Sequence, residues 1–228
     1  RLWISSQTDK AILDGFKNSH LNINEDLVKD YQEWLKDHPF DNGGGGWACE
    51  PWFQKDMDIT VPYAKEQAAK SNKAVYIVGR TAGEDKDNYN GAGSYLLTDE
   101  EISITEAFED VVVVLNTSNI IDMKWMNDSQ FNGHIKSVAY VWSGGMEGGN
   151  SVVDALSGSV TPSGKLPDTI AFNLEDYPSD ENFGNPLTNL YKEDIYVGYR
   201  YFETFAPEKV MFEFGYGLSY TTFNIETV

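Results

Sequence analysis

The sequence predicts an α/β protein, a three-layer α/β/α sandwich in which a mostly parallel sheet carries helices on both faces, followed by an extended C-terminal flank. Short apolar runs rich in β-branched residues alternate with amphipathic helical patterns. Continuous apolar runs of this kind are typical of strands that are covered on both faces. After about residue 160 the alternation gives way to prolines, glycines and aromatic residues. We expect a single domain over 1–228, with a core at about 1–170 and a wrapping or linking segment at 171–228.

Helices are expected over residues 8–19, 24–37 and 61–71. The second is the clearest, because Leu27, Tyr31, Trp34 and Leu35 recur at the i, i+4, i+7 and i+8 spacing of an amphipathic helix. Asn24 is suited to cap its first turn. Residues 39–58, which contain four consecutive glycines and several aromatic rings, predict a loop.

Three apolar runs predict buried strands, at residues 74–79, 111–115 and 138–142. Thr98 and Glu101 have the spacing of a capping box and predict a helix that continues to about Phe108. A further helix is expected over 147–157, where Gly158 ends it. Strand-like patterns recur in the C-terminal flank at Ile195–Phe202 and Met211–Phe214.

The carboxyl edge of the predicted sheet is where we expect chemistry, because parallel sheets bind ligands beyond the carboxyl ends of their strands. Three loops leave that edge, over residues 79–97, 116–128 and 142–147. Short strands alternating with helices also predict right-handed crossovers, which place these loops side by side.

Composition excludes several classes of function. The chain of 228 residues has 17 Lys plus Arg and 36 Asp plus Glu, a net charge of −19. Nucleic acids and anionic membranes are therefore unsuitable partners, whereas a neutral sugar is compatible with the charge. The single cysteine, Cys49, excludes an internal disulfide and a multi-cysteine metal site.

No apolar run approaches the roughly 20 residues of a membrane helix. Charged residues interrupt 1–20, so a signal peptide is not expected there. Because the sequence begins at Arg1, we expect a piece of a longer protein.

The loop over 79–88 is the first candidate for catalysis, because it presents three carboxylates and two cations directly after a buried strand. A carboxylate on such a loop acts as a general acid if burial by substrate raises its pKa. The alternative is an ordinary solvated loop, and position alone leaves both interpretations open. Its spacing does not match a calcium-binding loop.

Other candidates have simpler structural interpretations. The glycine-rich turn at 143–149 lacks the Lys of a P-loop, so a tight strand-to-helix connection is favoured over phosphate binding. His20, His38 and His134 have no metal-ligand or catalytic-triad spacing. The aromatic residues at 47–53 and 191–220 are more typical of packing than of sugar stacking.

Ordered blocks of sequence resemble the C-terminal α/β-sandwich domain of glycoside hydrolase family 3. The blocks are Gly79–Glu84, Tyr95–Glu101, Val112–Asn116, Trp142–Gly149, Thr161–Thr169, Asp194–Tyr201 and Phe214–Thr221. They span about residues 74–223, whereas residues 1–73 match less specifically. The family consists mainly of β-glucosidases and related exo-acting glycosidases that retain anomeric configuration.

The resemblance implies that Glu84 is the general acid/base, since it takes the Glu position of the family motif Gly-Glu-Gly-Tyr-Asp-Arg. Asp87 matches the Asp of that motif, while Asp85, Lys86 and Asn88 depart from it. Arg80 and Asp87 are candidates for binding substrate or supporting the loop. The family's nucleophile is an Asp in a Ser-Asp-Trp context on a separate barrel domain, and this string does not occur in the chain.

The resemblance also implies the partners: a β-linked glucoside or oligosaccharide as substrate, and a family 3 barrel domain of the same polypeptide. It implies neither a cofactor nor a metal, and the isolated chain should be inactive without the nucleophile. The alternative is a non-catalytic module that binds carbohydrate or supports the barrel. A flavodoxin-like nucleotide domain is disfavoured by the absence of a phosphate fingerprint. A bacterial origin is expected, in the cytoplasm or secreted.

Overall fold

The computed structural model describes residues 12–71, 73–81, 86–102, 108–131, 133–222, 224 and 226. The chain divides into two compact units. The first comprises Arg1–Ile121 and Trp125–Ser159, and the second comprises Asp122–Lys124 and Val160–Val228. Among the described residues, no helix combines the length and the apolar character needed to cross a membrane.

A three-stranded parallel sheet forms the centre of the first unit. Its strands are β1 (Ala74–Gly79), β2 (Val111–Asn116) and β3 (Ile135–Tyr140), in that spatial order. Ala74 pairs with Val111 and Gly79 with Asn116, so β1 and β2 end at the same level. The loops that follow them therefore leave the sheet side by side.

One face of this sheet packs against two helices, α1 (Ile12–Asn18) and α4 (Gly148–Ser157). Ile12 and Phe16 of α1 and Val153 of α4 form a buried cluster with strand residues Ile77 and Val114. The two helices approach closely where two glycines meet: a Cβ added to Gly15 would lie 2.3 Å from the carbonyl oxygen of Gly149.

The opposite face of the sheet is buried as completely, since Tyr76, Val78, Val113 and Leu115 are all about 1% exposed or less. Two further helices, α2 (Glu25–Asp37) and α3 (Val61–Ala68), belong to the same unit. Asn24 caps α2 as predicted, with its Oδ1 accepting from the Leu27 N–H at 3.3 Å. Its Nδ2 donates to Gln67 Oε1 at 2.8 Å, which ties α2 to α3.

The sequence predicted this α/β architecture correctly, but the third strand differs. It spans Ile135–Tyr140 rather than 138–142, and Lys136 and Ser137 are exposed, so it is not a fully buried strand. Trp142 has a φ of 53°, a left-handed conformation that cannot continue a strand. The predicted capping box is confirmed. Helical residues follow it to 102, while the rest of that predicted helix, residues 103–107, lies outside the described residues.

The second unit contains a short antiparallel pair, β4 (Ile170–Ala171) and β5 (Val210–Phe212), and one α-helix, α5 (Tyr199–Phe205). The strand predicted over Ile195–Phe202 is wrong. Gly198, at φ 62°, precedes the helix, whose Phe202 packs with Ala206 and Ala171 in the buried cluster of this unit. Burial at the i and i+4 positions outweighs the strand propensity of the aromatic residues. Short 3₁₀ helices occur in this unit at Leu174–Asp176, Asp180–Asn182 and Pro207–Lys209. Two others, at Lys124–Asn127 and Ser129–Phe131, precede β3 in the chain.

Candidate active site

Arg80 is the first residue after β1 and lies at the base of the loop predicted to carry out chemistry. Its side chain is 6% exposed. The Nη1 group donates to Glu101 Oε1 at 2.7 Å and to the Gly79 carbonyl at 2.9 Å, and Nη2 donates to Glu101 Oε2 at 2.8 Å and to the Leu96 carbonyl at 3.2 Å. Nε donates to the Ser94 carbonyl at 3.0 Å. All five guanidinium donors are therefore used within the protein.

Glu101 joins the loop base to the helix that follows the loop. Besides the bidentate pair with Arg80, its Oε2 accepts from the Thr98 N–H at 2.9 Å, and its own N–H donates to Thr98 Oγ1 at 3.2 Å. The Glu101 side chain is only 4% exposed. One carboxylate thus caps a helix and neutralises a buried cation, which fixes the beginning and the end of the loop to each other.

The distal part of the loop folds back on itself around Ser94. Ser94 Oγ donates to Asn88 Oδ1 at 3.1 Å and accepts from the Tyr89 N–H at 3.2 Å. Gly93, at φ 79°, donates its N–H to the Leu96 carbonyl at 2.9 Å. Ser94 is 1% exposed and Tyr95 is 5% exposed, so the loop is packed against the protein at these two residues.

Trp52, from the upstream loop, contacts the same region at two points. Its carbonyl oxygen accepts from the Thr81 N–H at 2.8 Å. Its ring lies under the Lys86 ammonium, 5.8 Å from Nζ to the centroid, and meets the Tyr89 ring edge-on at 5.9 Å. The neighbouring Phe53 ring covers Gly93, where an added Cβ would lie 2.1 Å from Phe53 Cε1.

The two other loops at the sheet edge are tied together. Ser118 and Ser143 share a hydrogen bond between their hydroxyls. The Tyr140 hydroxyl donates to the Asn119 carbonyl at 2.6 Å and accepts from the Ile121 N–H at 3.2 Å. The backbone N–H of Arg80 also donates to the Asn116 carbonyl at 3.2 Å. The predicted convergence of loops at the carboxyl edge is therefore present for their described residues.

The predicted site residues fall into different environments. Glu84 belongs to residues 82–85, which lie outside the described residues, so its role stays a prediction. Asp87 is exposed. Arg80 is buried and its donors are saturated, an arrangement suited to supporting the loop. The contributions of Glu101 to Arg80 and of Trp52 to the loop were missed by sequence reasoning. Both partners are distant in sequence, and no spacing rule connects them.

The glycine-rich turn at 143–149 behaves as a connection. The Gly148 N–H donates to the Gly145 carbonyl at 2.8 Å, and Glu147 Oε2 accepts from Asn150 Nδ2 at 2.7 Å. A polar groove of about 460 Å³ lies between the end of α1 and the start of α4, with Glu147 and Asp154 in its lining. Two carboxylates disfavour an anionic ligand there. Within the described ranges, no group of three His, Cys, Asp or Glu side chains could hold a metal ion.

Asp122, on a segment of the second unit, is a carboxyl that sequence reasoning did not single out. Burial raises its pKa above the usual range, although Lys124 opposes the shift from 3.9 Å. Lys124 also donates to Asn173 Oδ1 at 3.1 Å within the same unit.

Comparison with known proteins agrees with this architecture. The glycosyl hydrolase family 3 C-terminal domain model matches residues 3–220. A β-glucosidase of Ruminococcus albus is 48% identical over 219 residues, covering 94% of this chain and 23% of the relative. β-Glucosidase A of Butyrivibrio fibrisolvens is 36% identical, covering 91% of this chain and 28% of the relative.

Solved structures give the same result. A β-glucosidase from Paenibacillus barengoltzii superposes with a TM-score of 0.91 at 54% identity, over 96% of this chain and 24% of that one. β-Glucosidase 3B from Thermotoga neapolitana, in complex with glucose, gives a TM-score of 0.80 at 31% identity, over 95% of this chain and 31% of that one. The chain thus spans about a quarter of the length of the relatives it matches. On these grounds the chain belongs to glycosyl hydrolase family 3 and corresponds to the C-terminal domain of that family.

Proposed function

We propose that this chain is the C-terminal domain of a retaining, exo-acting β-glycosidase of the β-glucosidase type, and that Glu84 is its general acid/base. The proposal is supported by the relatives, which are named β-glucosidases, and by the family motif in which Glu84 takes the acid/base position. The substrate would be a terminal β-linked glucoside or oligosaccharide.

The observation that carries this proposal is the anchoring of the described residues on both sides of the stretch that contains Glu84. Arg80 and Glu101 form a buried pair at the loop base, and Ser94 closes the segment after it. Arg80 is therefore proposed as loop support rather than as a substrate ligand. Such anchoring pre-organises a catalytic carboxyl and removes the cost of ordering it in the transition state. A merely solvated loop needs no such buried pair.

The chemistry assigns Glu84 two roles in turn. As an acid it protonates the glycosidic oxygen while a second carboxylate attacks the anomeric carbon, and as a base it then activates the water that releases the sugar. The two carboxyl groups of a retaining enzyme stand about 5–5.5 Å apart. We propose that the second one is supplied by a barrel domain of the same polypeptide, and that this chain alone does not turn over substrate.

The surface of the second unit supports a place within a larger polypeptide. Many large apolar side chains there are exposed: Phe183, Leu187, Leu190, Tyr191, Ile195, Val197, Phe205, Phe214, Leu218 and Tyr220. Leu187 is 90% exposed and Tyr191 is 87% exposed. Apolar surface of this extent is costly in water and marks a region of contact with other protein.

The test is hydrolysis of β-glycosides by the full-length protein, comparing wild type with Glu84→Ala. Loss of the acid should abolish turnover of alkyl glycosides, spare much of the turnover of dinitrophenyl glycosides, and permit rescue by azide. Glu66→Ala, a carboxylate exposed on α3, is the matched control and should behave as wild type. If Glu84→Ala matches wild type on every substrate, the acid lies elsewhere and the chain is a carbohydrate-binding or supporting module.

A further inference from the structure

Trp142 has an unfavourable backbone conformation at the carboxyl edge of the parallel sheet. It is the second residue after β3, and its φ of 53° lies in the left-handed region, where a bulky side chain is strained. Glycine or asparagine would turn the chain there at lower cost. Strain of this kind clusters at catalytic and ligand-binding sites, which makes the indole ring a candidate contact for a ligand.

The Trp142 ring lies on a fixed support. Its centroid is 4.2 Å from that of the Tyr140 ring, with the two planes inclined by 32°. The Tyr140 hydroxyl is held in turn by the loop after β2. It donates to the Asn119 carbonyl at 2.6 Å and accepts from the Ile121 N–H at 3.2 Å. Trp142 is half-buried, so part of the residue is accessible from solvent.

Two serine hydroxyls lie at the same edge of the sheet. Ser143 follows Trp142 and is exposed, and Ser118 belongs to the loop after β2. Their hydroxyls share a hydrogen bond, and within the described part of the chain neither has a second partner. Each hydroxyl has one hydrogen and two lone pairs, so the bonded pair keeps one hydrogen and three lone pairs for a ligand. It can therefore donate to one hydroxyl of a ligand and accept from another.

We propose that Trp142, Ser118 and Ser143 bind the sugar on the leaving-group side of the bond that is cleaved, so that the full-length protein is selective for oligosaccharides. This inference rests on the proposed function. A pyranose has apolar C–H faces and a rim of hydroxyls, which match an aromatic ring beside a donor–acceptor pair. The three side chains are uncharged, which suits a neutral ligand in a chain of net charge −19.

The sheet places these residues within reach of the loop after β1. Gly79 of β1 pairs with Asn116 of β2, and Leu115 of β2 pairs with Tyr140 of β3, so the three strands end nearly level. Neighbouring strands are about 4.8 Å apart, so the ends of β1 and β3 are separated by about 10 Å. That separation is comparable with the length of a disaccharide. A substrate that begins at the loop after β1 and crosses the end of β2 therefore reaches Trp142.

The test compares two substrates of the full-length protein, a β-linked glucose disaccharide and methyl β-glucoside. Both have an alcohol of high pKa as the leaving group, and they differ in the second sugar. Trp142→Asn removes the ring and keeps a residue that tolerates the left-handed conformation, whereas Trp142→Phe keeps an aromatic ring. Ser143→Ala removes one hydroxyl. Met146→Ala is the matched control, because this side chain belongs to the same turn and is 82% exposed.

In Trp142→Asn, kcat/KM on the disaccharide should fall about threefold to tenfold, the scale of one aromatic contact. Ser143→Ala should lower it by about twofold to tenfold, the scale of one hydrogen bond. In both variants kcat/KM on methyl β-glucoside should stay at the wild-type value. Trp142→Phe should retain most of the disaccharide activity, and Met146→Ala should match wild type. Partial unfolding reduces both activities by the same factor, so the ratio of the two is independent of folding.

An unchanged ratio in Trp142→Asn or in Ser143→Ala would overturn the proposal, whether or not total activity falls. An equal change of ratio in Met146→Ala would also overturn it, because the effect would then belong to the turn in general. The proposed function fails separately: Glu84→Ala would then show no preference for activated leaving groups, whatever the Trp142 variants do.

Discussion

Replacing Arg80 by methionine should destabilise the parallel sheet severely. Arg80→Met leaves the Glu101 carboxylate, which is 4% exposed, without its cation. It also removes the donors that three backbone carbonyls of the loop use. Removing one partner of a buried ion pair costs about 3–5 kcal/mol, because the remaining charge stays desolvated and uncompensated.

The assay is hydrogen–deuterium exchange of peptides from β1 and β2 at increasing urea, which reports the unfolding midpoint of this sheet within the full-length protein. With a urea dependence of about 3 kcal/mol per molar, a loss of about 3–5 kcal/mol lowers the midpoint by about 1–1.7 M. The double variant Arg80→Met with Glu101→Leu removes both charges and should recover a large part of the loss.

Lys36→Met is the control. It breaks a pair with Glu33 whose side chains are 67% and 72% exposed, and the midpoint should not move. Two results would refute the reasoning. One is a urea midpoint for Arg80→Met as high as that of the control. The other is a double variant whose loss of unfolding free energy equals the sum of the losses in Arg80→Met and Glu101→Leu.

Two further predictions concern stability elsewhere. Gly15→Ala places a methyl group 2.3 Å from the Gly149 carbonyl oxygen, so α1 must move away from α4. This should lower the free energy of unfolding by about 1–3 kcal/mol, which a shift in the urea midpoint of the first unit would report. Asp176→Asn should weaken the second unit at neutral pH. Burial raises the pKa of Asp176, but hydrogen bonds from Asn173 and the Lys209 ammonium outweigh it and lower the pKa below its usual range. A lowered pKa stabilises the fold above the unfolded value of about 3.9. The difference from wild type should therefore vanish as the pH falls through the folded pKa, as measured by exchange in β4 and β5 peptides.

Each of these two predictions has a control variant in the same or a neighbouring structural element. A methyl at Gly148 meets nothing within 4 Å, so Gly148→Ala should be neutral or slightly stabilising. Asp180 is exposed, and Asp180→Asn should leave the second unit unchanged at every pH. A loss in Gly148→Ala equal to that in Gly15→Ala would contradict the close-approach argument. A difference between Asp176→Asn and wild type that persists at low pH would contradict the electrostatic one.

The elements that sequence reasoning located best are those whose signal is local. The stripe of α2, its cap at Asn24, the capping box at Thr98 and the apolar run of β2 are each specified by neighbouring residues, and all are present. Gly158 ends α4 at φ 79°, as expected for a left-handed cap.

The predictions from sequence fail where contacts between residues far apart in the chain determine the structure. The aromatic residues after Ile195 have high strand propensity, yet burial of Phe202 against Ala171 makes the segment helical. Arg80 and Glu101 are separated by 21 residues, and Glu101 already had a sufficient local explanation as a capping residue. Its second role depends on where the loop between them returns, which no pattern of spacing specifies.

Gln54 closes the base of the loop on which it lies. Its two bonds to Asp41 span 13 residues, so changes between them need not propagate beyond that closure. Residues 43–51 are thus a site for insertion or replacement beside the loop at 79–97, provided that Trp52, which lies within the same closure, is kept. A peptide grafted there would alter the surroundings of the loop at 79–97, while the parallel sheet and the closure at Gln54 keep their geometry.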